Sequence, residues 1–172
     1  MYTANTMSSA IEAMGMALPY NSSNPAISRD KLNEKETISK SIINLIKKDI
    51  KPSDIITKKS IENAVRLITL LGGSTNAVLH ILAICKTANI DFNIDDFQKI
   101  SDETPFLANL KPSGKYLMED LHNIGGLPSV MKFMLENKML HNDCMTVTGK
   151  TIEENLKNVK SLNFNQDIIR PL

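Results

Sequence analysis

The fold is organised around residues 70–80, which read Leu70-Leu71-Gly72-Gly73-Ser74-Thr75-Asn76-Ala77-Val78-Leu79-His80. Apolar residues recur at helical spacing on both sides, namely at Ile61, Ala64, Val65, Ile68 and Leu71, and again at Ala77, Val78, Ile81, Leu82 and Cys85. This pattern predicts two helices joined by a junction of residues 72–76. The glycines end the first helix because they tolerate positive φ. Ser74 or Thr75 can cap the second helix by accepting from its free N–H groups.

The junction allows two interpretations. A helix N-terminus with hydroxyls and an amide favours a bound anion, but the same residues are ordinary caps, which are far commoner than ligand sites. His80 lies four residues after Asn76 and shares its helix face, so it could face a site at the helix start. A solvated or hydrogen-bonded side chain is the simpler interpretation for His80, His122 and His141, since no pair has metal-ligand spacing.

Composition excludes several classes of protein. The chain has 172 residues, 42% apolar and 23% charged, which is typical of one ordered domain with a real core. A net charge of +1 and the absence of Trp argue against nucleic acid and anionic membranes as partners, and no stretch approaches a membrane span. Cys85 is predicted to be a buried helix thiol, and Cys144 to lie on a polar turn. They form neither a disulfide framework nor a zinc pattern, so a reducing cytoplasm is the predicted location.

The rest of the chain is also mostly helical in pattern. A first helix, ended by Pro19, is predicted from an apolar stripe that needs a partner surface, formed by Met7, Ala10, Ile11, Met14 and Leu18. Asn33 with Glu36 predicts the start of a second helix. Further helices are predicted to begin near Thr57, Ile94, Tyr116, Gly125 and Ile152, with Asn93 and Thr151 as caps. Residues 104–110 and 145–147 are candidate short strands, so the prediction is a mostly α segment.

Local sequences along the whole chain resemble the dihydroxy-acid dehydratases, in that family's order. The resemblance begins with Met1-Tyr2-Thr3-Ala4-Asn5-Thr6-Met7 and continues at residues 12–19, 72–80, 95–101, 104–108, 111–116, 118–122, 125–126 and 143–151. The sister group of phosphogluconate and other sugar-acid dehydratases shares the junction. Its counterpart of residues 1–7 reads differently, which favours the branched-chain amino acid group.

The resemblance implies an α/β fold in which this chain is the helix-rich part of a layered domain, with a few short strands. It implies dehydration of 2,3-dihydroxy acids such as 2,3-dihydroxyisovalerate to 2-keto acids, in valine and isoleucine biosynthesis. The implied cofactors are an iron–sulfur cluster (2Fe-2S or 4Fe-4S) acting as Lewis acid on the 3-hydroxyl and Mg²⁺ holding the carboxylate, while a base removes the C2 proton. A homodimer is the implied assembly.

The chain also departs from the family's pattern. In the family, a Cys-Gly-Gly that supplies a cluster ligand directly precedes the counterpart of Met1. The other cluster cysteines and most Mg²⁺ ligands lie further upstream, and the remaining ligand and the base lie downstream. Cys85 and Cys144 do not match the cluster positions, so the resemblance gives this chain no catalytic residue and no metal ligand.

We therefore expect an internal piece of a dehydratase, inactive by itself, in which Met1 is an internal methionine. Residues 1–160 are expected to belong to the N-terminal iron–sulfur domain, truncated at its start. Residues 161–172 are expected to connect toward a C-terminal domain. The residues expected nearest the substrate and cluster are Thr3, Asn5 and Thr6, followed by Ser74, Thr75, Asn76 and His80.

Two alternatives remain open. The chain could be a non-catalytic helical module for binding or assembly, or a fragment of a sugar-acid dehydratase. An exposed apolar face on the first helix, at Met7, Ile11 and Met14, would mark a missing partner surface. A module adapted to stand alone should carry polar residues there, so these apolar residues favour the fragment.

Overall fold

The structure is a computed structural model that describes residues 5–172. The helices in that range are α1 Thr6–Ala13, α2 Arg29–Lys47, α3 Pro52–Ile55, α4 Lys58–Leu70, α5 Asn76–Thr87, α6 Ile94–Glu103, α7 Met118–Asn123, α8 Gly126–Glu136 and α9 Ile152–Leu156. Extended pairing over residues 5–172 is limited to isolated bridges, which join Ala108 to Ile169, Leu110 to Tyr116, and Met145 to Thr151. The predicted helix-rich segment is confirmed. Neither candidate strand extends into a ladder: residues 104–110 form two separate bridges to different segments, and residues 145–147 form one.

Helix α4 is the central element, because it is buried on both sides. Ile61, Val65 and Ile68 lie in one apolar cluster with residues of α1, α5 and α6. Leu67 and Leu70 lie in a second cluster, which contains α8, α9 and residues 107–110. The junction follows the end of this helix and therefore lies close to both clusters.

Local signals placed most helix ends correctly. Gly72 has φ +68° at the end of α4, as the glycine pattern predicted. Thr57, Asn93 and Thr151 each accept a backbone N–H at the start of α4, α6 and α9. The start of α7 is Met118 instead of Tyr116 because Asp120 accepts from the backbone N–H of Leu117 and sets the cap there.

Helix α1 is shorter than the stripe predicted. It ends at Ala13, and Gly15, at φ +89°, turns the chain before Pro19 is reached. A Cβ on Gly15 would lie 2.7 Å from the carbonyl oxygen of Met145, and Val147 N–H donates to the Gly15 carbonyl at 2.8 Å. This close approach of a distant segment ends the helix, so Leu18 lies outside it.

Helix α2 begins at Arg29, four residues before the predicted start. The Ser28 hydroxyl caps it by accepting from Lys31 N–H at 3.1 Å. None of its residues is buried among the described part of the chain. Its apolar side chains lie mostly in solvent, with Leu32 58%, Ile38 41%, Ile42 52%, Ile43 53% and Ile46 74% exposed.

The apolar stripe of the first helix finds its partner surface within the chain and leaves no exposed apolar face among its described residues. Met14 is 1% exposed, and α1 packs against α4. Met7 and Ile11 are half-buried. The apolar face that remains exposed is on α2, so the argument for a fragment from Met7, Ile11 and Met14 does not hold.

The last residues of the chain pack onto the second cluster. Ile169 is fully buried, Asn109 N–H donates to the Ile168 carbonyl at 2.8 Å, and Arg170 N–H donates to the Leu107 carbonyl at 3.0 Å. Whether residues 161–172 lead to another domain stays a prediction. Over residues 5–172, no helix has the length and apolar character needed to span a bilayer.

Candidate functional site

The two predicted groups of site residues meet at the start of α1. The Thr6 hydroxyl oxygen accepts from Ser74 N–H at 2.9 Å, so residues far apart in sequence are joined directly. A Cβ on Gly73 would lie 2.8 Å from Thr6 Cγ2, and glycine at this position therefore permits the approach. The contact connects the N-terminus of α1 with the junction.

Asn5 contacts a different part of the molecule. It adopts the left-handed conformation, with φ 47°, at the N-cap of α1. Its side-chain amide donates to the Ser22 carbonyl at 2.7 Å. Asn5 therefore ties the start of α1 to the loop that follows this helix. The remaining member of the first group, Thr3, lies outside the described residues.

The second group of predicted site residues, Ser74, Thr75, Asn76 and His80, lies partly in a pocket and partly on the exposed surface. Ser74 and Thr75 line an open pocket of about 230 Å³, which also contacts Phe97 and Ser101 of α6. The Ser74 hydroxyl accepts from Asn76 N–H at 3.3 Å, whereas Thr75, the N-cap residue of α5, makes no side-chain cap hydrogen bond. Asn76 and His80 are exposed along α5, so their side chains are available to a ligand or to another part of a larger protein.

The polar face of α1 is buried. Thr6, Ser9 and Glu12 are spaced three residues apart and are 7%, 0% and 3% exposed. The Glu12 carboxylate accepts from Tyr20 N–H at 2.8 Å, from Ser22 N–H at 2.8 Å and from the Ser22 hydroxyl at 2.6 Å. Burial raises the pKa of Glu12 to about 7, although these hydrogen bonds lower it.

Sequence reasoning missed Glu12 and Ser22 as members of this region. It assigned the buried face of α1 from the apolar stripe alone. The available signal was the three-residue spacing of Thr6, Ser9 and Glu12, which puts their polar side chains on one helix face. Burial of that face depends on the loop at residues 20–23, whose position a local pattern cannot give.

The cysteines do not form a metal site. Cys85 is fully buried in the first cluster, and Cys144, at 5% exposure, lies in the second. Burial raises the pKa of both thiols, that of Cys144 to about 11. The predicted polar turn at Cys144 is therefore wrong. Asn63 on α4 holds this segment inward, with Nδ2 2.9 Å from the His141 carbonyl and 3.6 Å from Cys144 Sγ.

The described residues do not fit an iron–sulfur cluster or Mg²⁺. Between residues 5 and 172, no group of three or more His, Cys, Asp or Glu side chains is arranged to hold a metal ion. His141 is occupied by protein partners, since its Nε2 lies 2.5 Å from Glu62 Oε2 and 3.2 Å from an Arg66 nitrogen. This supports the simpler interpretation of His141 as a hydrogen-bonded side chain.

Similarity to known proteins covers the region described above. The family model for the N-terminal part of dihydroxy-acid/6-phosphogluconate dehydratases matches residues 1–155. The chain belongs to this dehydratase family. It is 60% identical over 172 residues to the dihydroxy-acid dehydratase of Flavobacterium psychrophilum, matching all of this chain and 31% of that protein.

Other dehydratases match at similar levels. The identity is 58% over 173 residues with the dihydroxy-acid dehydratase of Lactococcus lactis subsp. cremoris, covering 100% of this chain and 30% of that enzyme. It is 58% over 172 residues with the chloroplastic dihydroxy-acid dehydratase of Arabidopsis thaliana, covering 100% of this chain and 28% of that enzyme. The chain thus spans less than a third of these relatives. Thr6, Glu12 and the junction all lie within the part that matches the dehydratase family.

Proposed function

We propose that the protein to which this chain corresponds is a dihydroxy-acid dehydratase. Its substrate is a 2,3-dihydroxy-3-methyl acid such as 2,3-dihydroxyisovalerate. The C2 proton and the C3 hydroxyl leave together as one water molecule, and the resulting enol rearranges to the 2-keto acid. The identity of about 58–60% over the whole chain to enzymes named dihydroxy-acid dehydratase is the observation that carries this proposal.

In the proposed enzyme, this segment lines one side of the site where the substrate reacts. The candidate residues near substrate or cluster are Thr3, Asn5, Thr6, Ser74, Thr75, Asn76 and His80. The Thr6–Ser74 hydrogen bond supports this because it brings members of both groups to one place. Exposed side chains at Thr75, Asn76 and His80 can offer hydroxyl, amide and imidazole groups to a polar substrate.

The finer features of the family belong to the same proposal. They are an iron–sulfur cluster, Mg²⁺, a homodimer, a cytoplasmic location and a role in valine and isoleucine biosynthesis. The residues described here supply no ligand set for the cluster or for Mg²⁺. The proposal therefore places both sets of ligands in parts of the protein outside this segment and derives no catalytic step through them.

A chimera tests the proposal directly. The third of the Lactococcus lactis enzyme that matches this chain is replaced by the present 172 residues. Dehydration of 2,3-dihydroxyisovalerate is then measured under anaerobic conditions, beside the unmodified parent enzyme and beside this chain alone. We expect turnover by the chimera and none by the isolated chain.

The controls separate the alternatives. 6-Phosphogluconate is offered to the same chimera, because turnover of this sugar acid in place of the branched substrate would favour the sister group. A chimera that folds and shows the visible absorbance of the parent, yet turns over neither substrate, would contradict the proposed function. It would leave the helical binding module as the better interpretation.

A further inference from the structure

Glu12 is a buried carboxylate to which the candidate site gives no direct role. It is 3% exposed, and all three of its hydrogen bonds go to the loop at residues 20–22. A buried carboxylate is costly unless it is fully hydrogen-bonded. An apolar side chain could occupy a buried position in α1 at a lower cost in free energy. The presence of a hydrogen-bonded carboxylate there therefore calls for an explanation.

Ser22 is the residue that Glu12 holds most completely. Both its N–H and its hydroxyl donate to one Glu12 oxygen, at 2.8 Å and 2.6 Å. Its carbonyl accepts from the Asn5 side-chain amide at 2.7 Å. Glu12 lies near the C-terminal end of α1 and Asn5 at its N-cap. One buried residue therefore connects both ends of this helix.

The next contact leads to the junction. Asn5 is at φ 47° and begins α1, with Ser9 N–H donating to its carbonyl at 3.0 Å. The following residue, Thr6, accepts from Ser74 N–H. The position of the Thr6 hydroxyl is thus set by the backbone turn at Asn5, which the bond to Ser22 stabilises.

The loop itself is fixed on its other side. The Ser23 hydroxyl accepts from Leu127 N–H at 3.1 Å, at the start of α8. Ser23 is 2% exposed. Since α8 belongs to the second apolar cluster, this hydrogen bond fixes the loop to the core. The position of Ser22, to which Glu12 is bonded, is fixed with it.

We infer that Glu12 is a positioning residue: acting through Ser22, it holds the start of α1 against the junction. The catalytic consequence of this inference rests on the proposed function, whereas its structural consequence does not. Substrate-binding groups must be held within a fraction of an ångström, and a small displacement costs a large factor in rate.

The first test is Glu12→Gln. Glutamine has the same shape but only one oxygen, so it can accept either from Tyr20 N–H or from the Ser22 donors, while its NH₂ group faces a backbone N–H on the other side and cannot accept from it. Hydrogen exchange of residues 72–76 is measured in the chimera and in the 172-residue chain. We expect exchange there to become about tenfold faster. In the chimera, kcat is expected to fall about tenfold or more with little change in KM.

Glu34→Gln is the matched control. Glu34 on α2 binds the same loop, through the side-chain amides of Asn21 at 2.7 Å and Asn24 at 2.8 Å, but not through Ser22. Exchange at residues 72–76 and kcat should be unchanged in this variant. Val130→Ala, in the second cluster, controls for a general loss of Tm.

A second variant keeps the inference open to disproof if Glu12→Gln does not fold. Asn5→Asp replaces the amide donor by an acceptor facing the Ser22 carbonyl and leaves Glu12 in place. It should speed exchange at residues 72–76 in the same way. Unchanged exchange in the variant that folds, together with a lower Tm, would show that Glu12 only stabilises the core.

Activity and exchange separate the two proposals. If the unsubstituted chimera turns over no dihydroxy acid, the proposed function fails, and the exchange result still decides the role of Glu12. If the chimera is active and Glu12→Gln changes neither exchange nor kcat, the positioning role is wrong and the proposed function stands.

Discussion

Helices α1 and α2 follow one another in the chain and are buried in opposite ways. Helix α1 has eight residues, and five of them are buried, including the polar Thr6, Ser9 and Glu12. Helix α2 has 19 residues and no buried one among those described, although it carries five exposed Leu and Ile side chains. The comparison teaches that hydrophobic pattern does not decide burial here. What distinguishes α1 is that its polar side chains at Thr6, Ser9 and Glu12 are themselves buried, and the Glu12 carboxylate is hydrogen-bonded there.

The largest expected difference between the two helices concerns an apolar side chain on each. Met14, the C-cap residue of α1, is 1% exposed, so Met14→Ala should lower the free energy of unfolding by about 2–5 kcal/mol through lost burial and a cavity. Ile46→Ala on α2 is the matched control, since Ile46 is 74% exposed. Urea unfolding of both variants measures the difference. Equal losses of unfolding free energy in the two variants would contradict the burial of α1 and the exposure of α2.

Glu12 should make stability depend on pH. Its folded pKa is raised from 4.5 to about 7 by burial. The folded state therefore holds this proton more tightly than the unfolded state, and stability falls as pH rises between these values. The loss between about pH 5 and about pH 8 should approach about 3 kcal/mol. The charged and titratable neighbours on the packed elements are Glu34 on α2 and Tyr20 in the loop.

Urea unfolding across this pH range, compared with Glu12→Gln, isolates the contribution of Glu12. The free energy of unfolding of the variant should change less with pH over this range, because glutamine does not titrate. Parallel pH profiles in the two proteins would show that the Glu12 pKa is the same in both the folded and unfolded states. Such a result would weaken the contrast between the buried helix α1 and the exposed helix α2.

The contact between Thr6 and Ser74 predicts an intermediate effect. Thr6→Val keeps the shape but removes the acceptor, which leaves Ser74 N–H without that bond at a cost of about 1–3 kcal/mol. Thr6→Ser retains the hydroxyl and loses only a methyl group, so it should cost less. Urea unfolding ranks the two variants. A larger loss for serine than for valine would mean that packing of the methyl group against Gly73 matters more than the hydrogen bond.

The sequence predicted the parts of the fold that short-range chemistry decides. The end of α4 at Gly72, the caps Asn93 and Thr151, and the start of α8 after Gly125 all depend on residues within a few positions. The length of α1 was not predictable in this way. It is set where Gly15 meets the carbonyl of Met145, a residue of a distant segment.

The candidate site was half predictable for the same reason. Both sides of the Thr6–Ser74 contact could be named as candidates, but nothing local shows that they touch. Glu12 could not be recognised as buried before the loop containing Ser22 was placed beside it. Long-range polar contacts, unlike caps, leave little trace in a single sequence.

The smallest expected effect tests whether helix α2 is exposed. Ile46→Gln on α2 replaces an exposed apolar residue by a good helix former, so the free energy of unfolding should change by no more than about 0.5 kcal/mol. The measurement is urea unfolding of the 172-residue chain at low protein concentration. A loss above about 1 kcal/mol would show that Ile46 is buried in solution. Because the measurement uses the isolated chain at low concentration, α2 would then be covered by other parts of the same chain, as α1 is, and the contrast between the two helices would be lost.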